Sequence, residues 1–309
     1  MSNWSRVLDA ADITSPVLRE DYTEARRTVA RFRREAYVAV RLLVPPALVP
    51  DVLVATAFMH HTDNLLDSGL PEQRVAAFGG WEREVRAALA GSGAAGTGWS
   101  GTEVPLVRAM AHSAGRHPAL GDRAGAFLDT ALTDLEFTGF AAEADYQRYI
   151  DDYSLPALMV VACLLGPPEP EADGAYRAVC RSFIDGSQRL DFVNDLAEDL
   201  AADRLTVPED VLKEHRVTRA DLAAGRVTAD VGALMTDLLT RARADLLDGR
   251  ELVRLAPPAN RPMVRALVGL ELLTLKAAEA KGPGLLRGSA RPSLPAAAAL
   301  LLREYRAGR

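Results

Sequence analysis

Asp63 and Asp67 stand four residues apart in Asp63-Asn64-Leu65-Leu66-Asp67, and Asp191, Asp195 and Asp199 follow at i, i+4 and i+8 in a second acidic stretch that also holds Asn194 and Glu198. At roughly 100° per residue, an i, i+4 pair lies about 40° apart on a helix, on one face. Like charges so placed destabilise a helix by a few tenths of a kcal/mol per pair, and helix faces in water usually mix signs. A solvated acidic face is the plain reading for Asp63 and Asp67. The second set stacks only acids, and that points to a bound cation. Mg²⁺ suits it, because Mg²⁺ takes oxygen ligands, keeps several waters and is commonly shared between carboxylates and a phosphorylated substrate. Two such helices facing each other across a bundle would hold a metal–diphosphate between them.

The elements that must position these acids read as helices. Apolar residues recur at helical spacing over Arg26–Leu43, ending before Pro45-Pro46, and from Pro46 to Asp67, ending at Ser68-Gly69. Further helices are expected from Pro71 to about Leu89 and over 104–115, 120–142, 144–165, 175–201, a short stretch after Pro208, 219–224, 228–254, 260–281 and 292–306. Residues 91–101 and 167–174, rich in Gly, Ser and Pro, read as loops. Neither break brings a change of composition, so 1–309 reads as a single all-α domain, a helical bundle around a central cavity, with residues 1–20 as an N-terminal extension.

Composition narrows the function classes. Hydrophobic residues make up 49% and charged residues 25% of 309, enough for a large core, while 6% aromatics and no alternating β-branched runs argue against an all-β fold. A net charge of −6 argues against nucleic acid as a partner. Two cysteines, Cys163 and Cys180, exclude a disulfide framework or a Cys-rich zinc site. No signal-like or membrane-spanning run is visible, so the expected location is the cytoplasm. Oligomeric state is not legible. Of 36 basic residues only Lys213, Lys276 and Lys281 are lysine, a bias of genome composition.

The order and spacing of the two acidic motifs resemble those of the squalene/phytoene synthase family. Other segments share the likeness. Tyr37-Val38-Ala39-Val40-Arg41-Leu42-Leu43-Val44-Pro45 resembles the family's aromatic-x-A-x-R-L-L-P segment. Tyr153-Ser154 stands where the family has Tyr-Cys. Gln188-Arg189-Leu190-Asp191, Asp195, Glu198-Asp199 and Arg204-Leu205-Thr206-Val207-Pro208 resemble the second motif and its trailing R-I-Y-L-P. The resemblance implies an α-helical prenyl-synthase bundle enclosing a prenyl tunnel. It also implies Mg²⁺ held by Asp63, Asp67, Asp191, Asp195, Asp199 and Glu198. Substrate contacts fall to Tyr37, Arg41, Gln188, Asn194 and Arg204, and Tyr153 takes a catalytic place as a general base or phosphate partner, or else packs as a half-buried core tyrosine.

Departures from the family pattern bear on the substrate. Asn64 replaces an acid, His60-His61 stands where an Arg is usual, Asp191 and Asn194 stand for the family Asn and Arg, and Thr206 stands for a Tyr. Leu155-Pro156-Ala157-Leu158-Met159 replaces small residues, and is expected to kink the helix and crowd the tunnel. Ligands for one allylic prenyl diphosphate remain, while groups that would serve a second are thinned. This pattern is similar to that of family members from secondary metabolism that prenylate a small aromatic, carbazole-type nucleus. The expected reaction is transfer from dimethylallyl diphosphate to such an acceptor. His60 is a candidate to take the ring proton, against the alternative of a packed helix-surface histidine. The competing expectations are head-to-head coupling of two prenyl diphosphates, terpene cyclisation, and a non-catalytic helical binding protein.

Overall fold

In the computed structural model, which describes residues 3–67, 69–91, 101–135, 137–168 and 170–308, the chain is all α. Its helices are α1 Trp4–Ala10, α2 Pro16–Phe32, α3 Arg34–Leu43, α4 Val49–Asp67, α5 Pro71–Gly91, α6 Pro105–Arg116, α7 Pro118–Thr130, α8 Glu143–Tyr149, α9 Leu155–Leu165, α10 Pro170–Asn194, α11 Leu196–Ala201, α12 Glu209–Glu214, α13 Arg219–Ala223, α14 Ala229–Asp248, α15 Glu251–Leu255, α16 Arg261–Lys281 and α17 Leu294–Ala307. Among the described residues the one β pairing is an isolated parallel bridge between Gly139 and Leu205. No described helix is long and apolar enough to cross a membrane.

The helices surround a contiguous core. The first half of α4 is mostly apolar, and Val52, Leu53, Val54, Ala55, Ala57 and Phe58 are fully buried beside Asp51, whose carboxylate accepts from Ser113 at 2.8 Å, as expected of a central helix. α10 lies along α14. Gly186 permits their close approach, since a Cβ there would sit 2.8 Å from the Ala242 carbonyl oxygen. The stretch 1–20, read from sequence as an extension, carries α1 and the start of α2, and Val7, Leu8, Ile13 and Leu18 are buried in this same core.

Several boundaries differ from the sequence reading, each for a local reason. The helix expected over 26–43 is split at Arg33 (φ −133°, ψ 56°), where no Gly or Pro marks the break. The expected 120–142 helix ends as a 3₁₀ turn, Ala131–Asp134. The 144–165 helix holds a π segment, Ile150–Ser154, in which the Leu155 N–H reaches back five residues to the Ile150 carbonyl. Pro156 follows directly within this continuous helical run, so the π segment marks where the chain accommodates a residue without an N–H. The 175–201 helix starts earlier, at Pro170, and breaks at Asp195 (φ −99°, ψ 8°), so the second expected loop is shorter than 167–174. The expected loop at 91–101 falls largely on 92–100, which lie outside the described residues.

Candidate active site: an acidic pocket between α4 and α10

α4 presents Asp63 and Asp67 to a cavity of about 360 Å³, and α10 with its continuation presents Gln188, Asp191, Asp195 and Asp199 from the other side. The two motifs thus face each other, as their spacing predicted. The end of α4 is held in place: Trp81 donates from Nε1 to Thr62 Oγ1 at 3.0 Å, and Arg74 donates to the Leu66 carbonyl at 2.8 Å, a cation satisfying the carbonyl end of a helix. Across the Asp195 break the backbone bonds Asp195 N–H to Asp191 O (2.8 Å) and Asp199 N–H to Asp195 O (3.0 Å) persist. The i, i+4, i+8 face therefore survives the bend.

The end of α8 and the π segment supply the third wall. Tyr153 donates to Asp63 Oδ1 at 2.8 Å, Tyr149 donates to Asp134 Oδ1 at 2.6 Å, and Ser154 Oγ lies 3.0 Å from Gln188 Oε1. Arg204 closes the pocket, 4.0 Å from Asp134 and stacked over the Phe137 ring. Its loop is pinned by the Gly139–Leu205 bridge, where a Cβ on Gly139 would lie 2.9 Å from the Leu205 carbonyl oxygen. Phe192 forms part of the floor and stacks on Phe137.

Charge in this pocket is unbalanced: six carboxylates and one guanidinium are among its lining residues. Burial, followed by repulsion from Asp195, pushes Asp191 up to about 6, although the pocket leaves it open to solvent. Asp67, Asp195 and Asp199 are also raised, burial leading in each case, with Asp63 next at Asp67 and Glu198 next at Asp195. Carboxylates crowded until they resist ionising are what a multivalent cation relieves. Among the described residues no three such groups are close enough to enclose an ion by themselves. Any Mg²⁺ here would take one or two carboxylates and complete its shell with water and substrate phosphate. The donor set fits the metal on these terms.

Not every expected residue joins the pocket. His60 lies on a neighbouring face of α4, stacks on Phe32 at 5.2 Å and lines a separate cavity of about 380 Å³ with His61 and Asn64. Arg41 and its neighbour Tyr37 lie away from the acids. Arg41 is buried over the Trp4 ring and lines a groove beside Pro46 and Tyr305. Asn194 turns out of the pocket and grips the Ala290 backbone, donating to its carbonyl (3.1 Å) and accepting from its N–H (2.7 Å). Glu198 is exposed beside the pocket. On helices a step of one or three residues is enough to move a side chain to another compartment. Burial and then Asp63 drive the Tyr153 phenol well above its ordinary value, which favours the donor it is to Asp63 over a base.

Asp134, Tyr149 and Arg33, whose guanidinium stands 3.9 Å from Asp63, were missed. The spacing of Tyr146, Tyr149 and Tyr153 was a usable signal. Arg33 sits in the charged run Arg31-Phe32-Arg33-Arg34-Glu35 and Asp134 two residues before Glu136, and nothing in either setting marks it for the pocket. Leu155, Pro156 and Met159, expected in the tunnel wall, are buried in the core, while Ala157 and Leu158 keep some exposure.

Comparison with known proteins bears on this geometry. Residues 29–297 match the family model for squalene/phytoene synthase. A phytoene synthase from Thermus thermophilus is 35% identical over 120 residues, which is 38% of this chain and 39% of that protein. The fold is shared with squalene synthase HpnC from Alicyclobacillus acidocaldarius (TM-score 0.69, 23% identity, 96% of this chain and 98% of that one). It is shared also with a dehydrosqualene synthase crystallised with a ligand (TM-score 0.80, 16% identity, 94% and 97%).

Proposed function

The chain belongs to the squalene/phytoene synthase family and is a prenyl-transferring enzyme, and from that premise we propose that it ionises one allylic prenyl diphosphate, dimethylallyl diphosphate, and passes the prenyl group to a small aromatic acceptor. The observation that carries the ionisation step is the charge of the pocket, with six carboxylates and Arg204 as the guanidinium among the lining residues. Asp63, Asp67, Asp134, Asp191, Asp195 and Asp199 would hold Mg²⁺. Bound there, the metal neutralises diphosphate charge and makes it a leaving group.

The chain's own groups do the rest. Arg204 offers a planar fork to a phosphate oxygen. Tyr149 and Tyr153 keep their protons and hold Asp134 and Asp63 in orientation. Phe192 and the rings behind it give an apolar, polarisable wall that excludes water from an allylic cation. Positions where the family carries further diphosphate partners are otherwise engaged here: Asn194 on the Ala290 backbone, and Thr206 on the Phe192 carbonyl at 3.3 Å. That supports one bound diphosphate.

Head-to-head coupling is the second reading, favoured by the likeness to a protein named phytoene synthase. One experiment separates the two. The protein is incubated with Mg²⁺ and C5, C10, C15 or C20 diphosphates, with and without hydroxylated carbazoles and indoles, and pyrophosphate and products are followed. Alkylated aromatic formed from the C5 donor is the expected result. A C30 or C40 hydrocarbon formed without acceptor establishes the second reading instead.

A further inference from the structure

The cavity of about 380 Å³ that holds His60 and His61 shares no lining residue with the acidic pocket. It runs between α2, α4, α5 and the start of α6. Ala57, His60 and His61 bring to it the face of α4 that lies about 90° round the axis from Asp63 and Asp67. Two ring pairs line it. His60 stacks on Phe32 at 5.2 Å with 36° between the planes, and His61 meets Trp81 at 4.4 Å and 60°. Trp81 is buried, and its Nε1 bond to Thr62 fixes the ring. The buried lining residues of α2 and α4 are Ala25 and Ala57, whose small side chains leave the space open.

The polar groups of this cavity are uncommitted. Glu24 and Thr28 stand one turn apart on α2, and among the described residues neither they nor His60 and His61 make a side-chain hydrogen bond or an ion pair. Burial, followed by His60, lowers the pKa of His61, so at pH 7 its imidazole is neutral and offers a lone pair. A carboxylate, a hydroxyl and imidazole nitrogens are all acceptors. A space of this size, walled by rings and supplied with a few convergent polar groups, has the make-up of a small-molecule site. The same groups set the chemistry of the ligand. Glu24 repels phosphate, and none of the described lining residues is a lysine or arginine that would offset it, so a second prenyl diphosphate is excluded by charge. Ring faces suit a flat aromatic molecule, and unused acceptors suit N–H or O–H groups on its edge.

We propose that this cavity is a binding site, separate from the diphosphate pocket, for a flat, uncharged aromatic molecule that carries an N–H or O–H donor on its edge. Phe32 and Trp81 hold the plane of the ligand, and Glu24, Thr28 and the two imidazoles accept from its edge. The site adjoins the acidic pocket without being part of it: His60 stands three residues before Asp63, and Phe32 precedes Arg33, whose guanidinium is 3.9 Å from Asp63. The assignment stands on this cavity and holds whichever reaction the acidic pocket performs.

The test titrates the whole protein, without any diphosphate, with 2-hydroxycarbazole and with its N,O-dimethyl derivative, and reads Kd by calorimetry. The wild type is expected to bind one hydroxycarbazole, about tenfold or more tighter than the dimethyl form. Thr28→Tyr fills the cavity from a half-buried position on its rim and should weaken binding of both carbazoles about tenfold or more. Glu24→Ala, at an exposed position, should narrow the preference for the hydroxyl form by about threefold or more. Thermal unfolding of both variants checks that the fold is kept. Mg²⁺ with inorganic diphosphate, which load the acidic pocket, should leave the wild-type Kd within about twofold. Wild-type affinity in a folded Thr28→Tyr variant overturns the assignment, as does loss of carbazole binding to Mg²⁺ and diphosphate, or no binding at all by the wild type. Failure of the aromatic-acceptor reading is a different result: carbazole bound with the expected dependence on Thr28 and Glu24, and no alkylated product when dimethylallyl diphosphate and Mg²⁺ are added.

Discussion

On one face of α10, Arg189 donates to both oxygens of Glu143 at 2.6 and 3.0 Å and to Asp185 at 3.2 Å, and lies over the Tyr146 ring. On the adjoining face of the same helix, Asp191 looks across the pocket toward Asp63 and Asp67 with no comparable partner. The responses of the carboxyls are opposite. Burial tends to raise Glu143, but bonds from Arg189 and Gln147 outweigh it and hold the group below its usual value. Asp191 is pushed up to about 6, by burial and then by Asp195. Both clusters are acid-rich and partly desolvated. The Arg189 network carries its own cation within the protein, although the buried Arg189 Nε is left without a bond, so it serves the fold. The Asp191 cluster is complete only with something cationic from outside, so it costs the fold and serves a ligand.

The strongest test of that contrast swaps charge for amide. Asp63→Asn, Asp191→Asn or Asp195→Asn should lower prenyl-transfer turnover by about a hundredfold or more, and chelation by EDTA should abolish it. Thermal unfolding of each variant should stay level or improve, because a like-charge repulsion is removed. Wild-type rates in EDTA would remove the metal from the account. On the paired face the result reverses: Arg189→Met takes the nearest cation from buried Asp185 and half-buried Glu143, which keep Arg181 and Arg241, and should cost about 2 kcal/mol in urea denaturation, with turnover per folded molecule largely kept.

A smaller and wider effect concerns pH. Asp191 and Glu271, raised to about 6 and about 7, bind more protons in the native than in the unfolded state once pH passes their ordinary values. Without metal, they should make stability fall as pH rises from about 4 to about 7 and then level off. Glu143 and Asp237, both lowered, act with the opposite sign, adding stability that disappears as pH drops below about 4. Thermal scans in EDTA between pH 4 and 8 should show the decline, and Mg²⁺ should reverse it at pH 7 to 8. A metal-free protein that gains stability across this window contradicts the crowding of the pocket.

The smallest effect expected is at Tyr153. Removing its bond to Asp63 in Tyr153→Phe should change stability by about 1 kcal/mol and reduce turnover without altering the shape of the pH–rate profile, since a protonated donor contributes no basic limb. Loss of that limb would return Tyr153 to the role of base.

The sequence by itself determined the helical class and the gathering of Asp63/Asp67, and of Asp191/Asp195/Asp199, on one helix face each. Both are properties of period: 3.6 residues per turn puts i and i+4 on one face, and two acidic faces in one bundle are relieved only by sharing a cation. Tertiary structure decided which neighbours of those acids belong with them. His60, Asn194 and Glu198 are close in sequence to the acids and were drawn into the site on that account, yet Phe32, the Ala290 backbone and solvent claim them. Asp134 arrives from the 3₁₀ turn after α7, which no local pattern connects to the motifs, and Tyr149 from the end of α8. Period fixes an angle around one helix axis. Which helices meet across the cavity, and at what depth, depends on devices such as the Gly186 contact with α14, the five-residue reach at Leu155 and the bridge at Gly139, where a missing side chain or a shifted hydrogen bond sets the distance.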